Sequence, residues 1–479
     1  MQPVSMKRDW LPLTLAVLVG GFARFLHLGA RSLWLDDAIS LEIARLDGHN
    51  LLAVVTGREV NMSLYYLLLH IWIRLGVNEF TLRAPSAIFG TLAIVFIYLL
   101  ASDWLDQRTA VFAAWLAALN PAFVACSQEG RSYTLAILLA IASFLLFRRA
   151  LNFGLWKHWL SWAMVTACGF YSHLFFVWLL LVQSVFLLAV VPDGRTWKRA
   201  LAGCGICGML LLPLVWIVFT TSNTQLSWIS APVSKDLLRF FLDSAGAGGG
   251  LLAGLYVLFA AVGLYVLYFQ RESMGILLIL WWLLPVAVTF VVSFRVPIFV
   301  PRYLLICVAP MLVLAAEGLS SAKSIMVQRI GLMVVLAASG YGTHLYLRSV
   351  ADSSRTNDWR GASAYMSQVL RDGDLVLFYY GAERLPFDFY LRQHPTQAHF
   401  TVYPDRSSVD LLLGTPPGDD PSLLALAGRY QRVFVLSEFQ PNQRWRRVIN
   451  GLNSRCSRTD KSTYFGFVRI DQLDCFESP

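Results

Sequence analysis

Three short polar stretches interrupt an otherwise apolar chain, and their residue types are those of a site that works on an oxygen nucleophile and a phosphate. RSLWLDDA at 31–38 sets two carboxylates, Asp36 and Asp37, side by side. Adjacent carboxylates repel each other, and no packing need explains them. A carboxylate so placed can take the proton of an attacking hydroxyl as general base. An ordinary structural reading stands beside it: acids at the start of a helix beginning near Ala38 would cap it and complement its dipole. SQEGRSY at 127–133 brings Glu129, Arg131 and Tyr133 together in what reads as a tight turn. Charges at a bilayer edge either serve a site or pair with each other to hold the turn. FVPRYL at 299–304 supplies Arg302 and Tyr303. A guanidinium suits bidentate phosphate binding at any relevant pH, and it also suits snorkelling to a membrane interface. His173, in YSHL at 171–174, and His70 are weaker candidates, since a lone histidine is more often a hydrogen-bonded packing residue.

The elements that must position these residues are membrane helices. Of 479 residues, 57% are hydrophobic and 14% charged, against about a quarter charged in soluble domains. The mean hydropathy is +0.56. The 16 Trp and 31 Phe suit interfacial aromatic belts. A net charge of +9 is of the sign nucleic-acid binders carry, but the basic residues fall in short clusters between apolar runs, with no basic helix or stacking platform. No nucleic-acid partner is expected.

Apolar segments lie at 10–28, 82–102, 109–126, 133–149, 157–173, 174–191, 200–220, 250–270, 274–294, 303–321 and 328–348. Each is near the roughly 20 residues that cross hydrocarbon. The first has the basic start of a signal peptide but contains Arg24 and His27 and lacks a cleavage site, so a retained helix is expected. The run 62–77 is a twelfth candidate. Leaving it out puts Arg108, Arg148, Arg149, Lys157, Lys198, Arg271 and Lys323 on the cytoplasmic side with Lys7 and Arg8, as the positive-inside rule requires. It then reads as an amphipathic helix at the outer surface. The expected architecture is mainly α: a polytopic bundle of about 11 spans over 1–350, with a first outer loop at 29–81. A small α/β domain follows at 351–479, on the extracytoplasmic side of an inner membrane.

That tail carries strand-like runs at 374–380, 432–436 and 464–470 between helical stretches around 358–371, 384–392, 420–429 and 440–453. Cys456 and Cys475 lie in it, and outside the cytoplasm they could pair. Cys204 and Cys207 form a CxxC inside an apolar helix, where close packing explains them better than zinc or redox chemistry.

The order of LWLDDA, LYYLLLH at 64–70, LRAPS at 82–86, SQEGRSY and RYL at 302–304 resembles the bacterial protein mannosyltransferase and aminoarabinose transferase-like glycosyltransferases of the GT-C superfamily. The resemblance covers about residues 1–350, with weaker motifs in the tail. It implies inverting transfer from a polyprenyl-phosphate sugar to a glycan, lipid or protein acceptor at the outer face. Asp36 matches the aspartate of the family's first-loop Asp–Glu motif, and Asp37 replaces its glutamate. Glu129, Arg131 and Tyr133 match the second-loop pattern, and Arg302 and Tyr303 the segment near the lipid phosphate. Where relatives have HPPLYY, this chain has NMSLYY at 61–66.

The partners expected are therefore membrane lipid, a polyprenyl-phosphate sugar and its acceptor. No cofactor is called for and no metal ligand set is read, although two acids could hold a divalent ion. The competing classes are a flippase for lipid-linked glycans and a non-catalytic assembly protein. The first predicts mid-membrane charges and internal symmetry, and neither is evident in the sequence.

Overall fold

The computed structural model describes residues 10–57, 59–190, 194–220, 229–270, 272–378, 380–413, 425–438, 449–454, 456–458 and 462–475. Among these, seven helices are long and apolar enough to cross a membrane: Glu79–Trp104, Tyr133–Phe153, Gly194–Thr220, Gly246–Phe269, Ser273–Val292, Pro301–Ser320 and Ile325–Ala351. An eighth consists of Gln107–Leu119 and Pro121–Ser127, bent by 57°. The bend has a local cause. Asn120 caps the second piece, its Oδ1 accepting the Phe123 amide at 2.9 Å. Pro121 then takes the first helical position, where its missing N–H is no loss. Shorter helices Trp10–Phe25, Trp156–Ser172 and Phe176–Val190 occupy the remaining expected apolar runs. The run 62–77 is a ten-residue helix, Ser63–Trp72, and a 3-10 turn, Ile73–Leu75. It is too short to cross a bilayer core.

Without a hydrophobic drive between helices in lipid, small residues and backbone acceptors hold the bundle. A Cβ on Gly263 would lie 2.1 Å from the Leu314 carbonyl oxygen, and one on Gly318 2.0 Å from that of Phe259. Helices Gly249–Phe269 and Val308–Ser320 thus meet backbone to backbone. Arg24 is fully buried, and its guanidinium donates to the carbonyls of Gly20, Ala117 and Ala118 at 2.9–3.0 Å. Cys204 is exposed on its helix and Cys207 buried, both as free thiols.

The chain forms two compact units. One spans 1–26, 55–68 and 83–347. The other joins 27–54 and 69–82 to 348–479, so the segment carrying Asp36 and Asp37 folds with the tail.

The second unit contains a six-stranded sheet of β1 (Leu375–Phe378), β2 (Thr401–Tyr403), β3 (Arg432–Ser437), β4 (Cys456–Arg458), β5 (Thr463–Phe465) and β6 (Val468–Cys475). The order is β2-β1-β3-β6-β4, with β5 on β6. β1 is parallel to β2 and β3, and β6 is antiparallel to β3. Leu375, Leu377, Val433, Val435 and Leu473 form its core with the disulfide Cys456–Cys475. The run 464–470 is not one strand. Gly466, at φ 58°, breaks it into the β5–β6 hairpin, and a Cβ there would lie 1.7 Å from the Thr356 carbonyl oxygen. Helices Trp359–Val369 and Arg384–Leu391 match two expected helical stretches. Much of the other two lies outside the described residues.

Candidate active site

In the first unit the structure brings together five of the residues singled out by sequence. His173 caps the end of helix Trp156–Ser172 and is 1% exposed. Its Nδ1 accepts the Phe175 amide at 3.3 Å. The Tyr303 ring lies 5.1 Å from the His173 ring, edge to face, and 6.2 Å from Tyr133. Arg302 stands over Tyr303, 5.8 Å from its centroid. Arg131 and Arg302 both act electrostatically on the His173 imidazole. Two cations converging on a buried ring, among aromatic walls, make a locus fit for an anion next to an apolar chain.

Arg131 is fixed from several sides. Ser86 Oγ donates to its carbonyl at 2.9 Å, and Thr134 Oγ1 donates to the Ser86 carbonyl at 2.9 Å. Its guanidinium donates to the Tyr66 hydroxyl at 3.1 Å, which donates to Glu59 at 3.2 Å. Glu129 lies in the same turn, its carbonyl accepting the Arg131 amide at 2.8 Å. The turn is tied to the end of the first helix through Gln128, whose Nε2 donates to the Leu26 carbonyl at 2.7 Å.

In the second unit Asp36 and Asp37 occupy the first turn of helix Leu35–Arg45, whose N-cap is Trp34 with no side-chain cap. The dipole there favours their charge, so the cap reading holds in part. Yet Asp37 is fully buried, and burial of a carboxylate is costly for a mere surface cap. Tail segments pin the loop ahead of them. Ser32 Oγ donates to the Asn357 carbonyl at 2.6 Å and accepts the Trp359 amide at 3.1 Å. Leu33 N–H donates to the Tyr390 hydroxyl at 2.7 Å. His70 is a packing residue, its Nδ1 meeting the Ala44 carbonyl at 2.8 Å.

Several residues escaped the sequence reading. Tyr66 and Glu59 carry the orientation of Arg131, and Asn61 Oδ1 accepts the Leu174 amide at 2.9 Å beside His173. LYY at 64–66 marked the place without indicating the role. In the tail, Glu438 is buried beside the aspartates. Burial pushes its carboxyl up, and the charges of Asp36 and Asp37 add to this against the bond from Trp359, to about 7. Among the described residues, no group of three or more His, Cys, Asp or Glu is arranged to hold a metal ion.

Residues 63–219 match the family described as dolichyl-phosphate-mannose-protein mannosyltransferase. No curated protein matches the chain in sequence. The fold is similar to that of ArnT from Cupriavidus metallidurans in the apo state, with 14% identity, a TM-score of 0.64 and 98% of each chain covered. It is equally similar to that ArnT bound to undecaprenyl phosphate, with 14% identity, a TM-score of 0.63 and 97% of this chain and 98% of that one covered. The Archaeoglobus fulgidus oligosaccharyltransferase, in a complex with Zn and sulfate, shares it at 15% identity and a TM-score of 0.56, over 88% of this chain and 67% of that one.

Seven helices long and apolar enough to cross a membrane make this a multi-pass membrane protein, with a fold similar to that of ArnT and a mannosyltransferase family match over residues 63–219.

Proposed function

We propose that the chain transfers a sugar from a polyprenyl-phosphate donor to an acceptor at the outer face of the inner membrane, with inversion at the anomeric carbon. The observation that carries this reading is the convergence of Arg131 and Arg302 on His173 and Tyr303, in a fold similar to that of an ArnT bound to undecaprenyl phosphate. Arg302 and Arg131 take the donor phosphate and neutralise the charge that grows on it as the sugar leaves. Tyr133, Tyr303 and His173 wall that locus, and Glu129 supports the turn bearing Arg131.

Asp36 takes the proton of the acceptor hydroxyl while that oxygen attacks the sugar from the face opposite the phosphate. Asp37, shorter than the family's glutamate, stands beside it as second carboxylate. The disulfide Cys456–Cys475 suits an oxidising compartment, which favours an extracytoplasmic tail over 351–479. The basic loops inferred from the sequence belong to the opposite side.

The test is transfer from a panel of undecaprenyl-phosphate sugars by the full chain in lipid nanodiscs. Asp36→Asn is expected to lower kcat by about 10²-fold or more, the usual share of acid–base catalysis, with donor KM little changed. Wild-type turnover in Asp36→Asn would remove it as the base. Failure of the wild type with every donor of the panel would overturn the reading itself.

A further inference from the structure

Glu438 follows β3 directly and is 9% exposed. Its carboxyl accepts the indole N–H of Trp359 at 2.9 Å and the side-chain amide of Asn357. Its own amide donates to the buried Glu383 at 2.9 Å. Asn357 and Trp359 are the residues that Ser32 grips, four positions ahead of Asp36. One short tail segment therefore holds Glu438 with its side chains and the aspartate loop with its backbone.

Among the described residues, the charged groups acting on the Glu438 carboxyl are Asp36 and Asp37. On the neighbouring strand Arg469 is engaged by Asp471 at 2.8 Å, opposite Ser437. Glu383 meets Glu438 at the backbone. Accepting two N–H bonds does not need an acid, and a buried acid beside two carboxylates works against folding. An arrangement unfavourable to stability is expected where chemistry needs it.

We propose that Glu438 is a positioning residue of the glycosyl-transfer centre, contributed by the tail and acting through Asp36 and Asp37, with which it exchanges a proton during turnover. This rests on the reading of Asp36 as proton acceptor. The acceptor oxygen bonds the anomeric carbon as the bond from that carbon to the phosphate oxygen breaks, its electrons leaving on polyprenyl phosphate. The hydroxyl proton passes to Asp36, is shared with the Glu438 carboxylate, and leaves to water. A third negative charge beside two raises the pull of the whole group on an incoming proton.

Two readouts on the full chain in nanodiscs test this. The first needs no substrate: infrared difference spectra across pH. A carboxylic acid band titrating near neutrality is expected, lost in Glu438→Gln, with its midpoint lowered by about one pH unit in Asp36→Asn or Asp37→Asn. A band that survives Glu438→Gln, or a midpoint unmoved in both aspartate variants, overturns the proposal.

The second is transfer from the undecaprenyl-phosphate donors. Glu438→Gln is expected to lower kcat about tenfold, less than the ~10²–10⁴-fold of acid–base catalysis because Glu438 acts through Asp36. Donor KM should hold, the pH profile should shift, and Glu438→Asp should restore part of the rate. A wild type that transfers while Glu438→Gln matches it at every pH overturns the role of Glu438 alone. A wild type that transfers nothing overturns the functional reading beneath it.

Discussion

The guanidinium of Arg131 donates to the hydroxyl of Tyr66 at 3.1 Å, and that hydroxyl in turn donates to Glu59 at 3.2 Å. Tyr66 therefore passes a carboxylate's influence to the cation through a single oxygen. A guanidinium pre-aimed in this way loses less freedom when it meets phosphate, because its rotamer is already chosen.

Tyr66→Phe keeps the ring and removes the link. A hydrogen bond to a charged group contributes about 1.5–3 kcal/mol, so undecaprenyl phosphate should bind about tenfold or more weakly to the variant. Equilibrium binding to the purified variant, with its melting temperature as control, checks this. Unchanged affinity would show that Arg131 needs no orientation from Tyr66.

The loop bearing Asp36 and Asp37 hangs on Tyr390. That hydroxyl accepts the Leu33 amide and donates to Glu79, both at 2.7 Å, while Arg360 pairs with Glu79 and lies 5.6 Å from the Tyr390 ring centroid. Burial and the neighbouring Glu79 charge hold the phenol far above its ordinary range, so it stays a donor. Tyr390→Phe leaves a buried amide without its acceptor, at a cost of about 1–3 kcal/mol. The expected result is faster hydrogen exchange at Leu33 and a lower kcat with the donor KM unchanged. Wild-type exchange at Leu33 would sink the idea.

The disulfide Cys456–Cys475 ties β4 to β6 across a separation of 19 residues. Closing a loop of that order stabilises by about 3 kcal/mol in the chain-entropy account. Cys456→Ser with Cys475→Ser should make the tail sensitive to protease at temperatures the wild type survives, and reductant should do the same to the wild type. Equal resistance in all three samples would mean that the sheet core of Leu375, Val433 and Leu473 suffices.

Much of the bundle was legible because apolar runs near bilayer length have few alternatives. The kinked span was harder to see as two helices, since the kink comes from one Asn–Pro step at 120–121. β2 and β4 have three residues each, too few for a periodic signal. The β5–β6 break depends on a close approach of Gly466 to Thr356 that only tertiary structure reveals.

The candidate site divides in the same way. Arg131, Tyr133, His173, Arg302 and Tyr303 announce themselves as polar or aromatic residues at helix ends. Glu438 does not, because it meets Trp359 across 79 positions of chain and ends an ordinary-looking strand. Asp37 shows why one sequence feature supports two readings, since it lies in a helix's first turn and is also fully buried.

Glu438 also gives stability a pH dependence whose sign follows from its surroundings. Burial and the two aspartates raise its carboxyl from an ordinary 4.5 to about 7 in the folded protein. Between those values the folded chain binds more protons than the unfolded chain, so stability falls as pH rises. Protonated Glu438 is fully tolerated below about 4.5, and its penalty is complete above about 7. A shift of this order corresponds to about 3 kcal/mol at 1.36 kcal/mol per pH unit. Glu438→Gln, always neutral, should therefore melt higher than the wild type at pH 8, with the two converging near pH 4. The tail would gain stability while the proposed transfer slows, which is the trade expected where a site keeps a group the fold does not favour. A wild type and variant whose melting temperatures run parallel across this range would show that Glu438 is ionised throughout and carries no penalty.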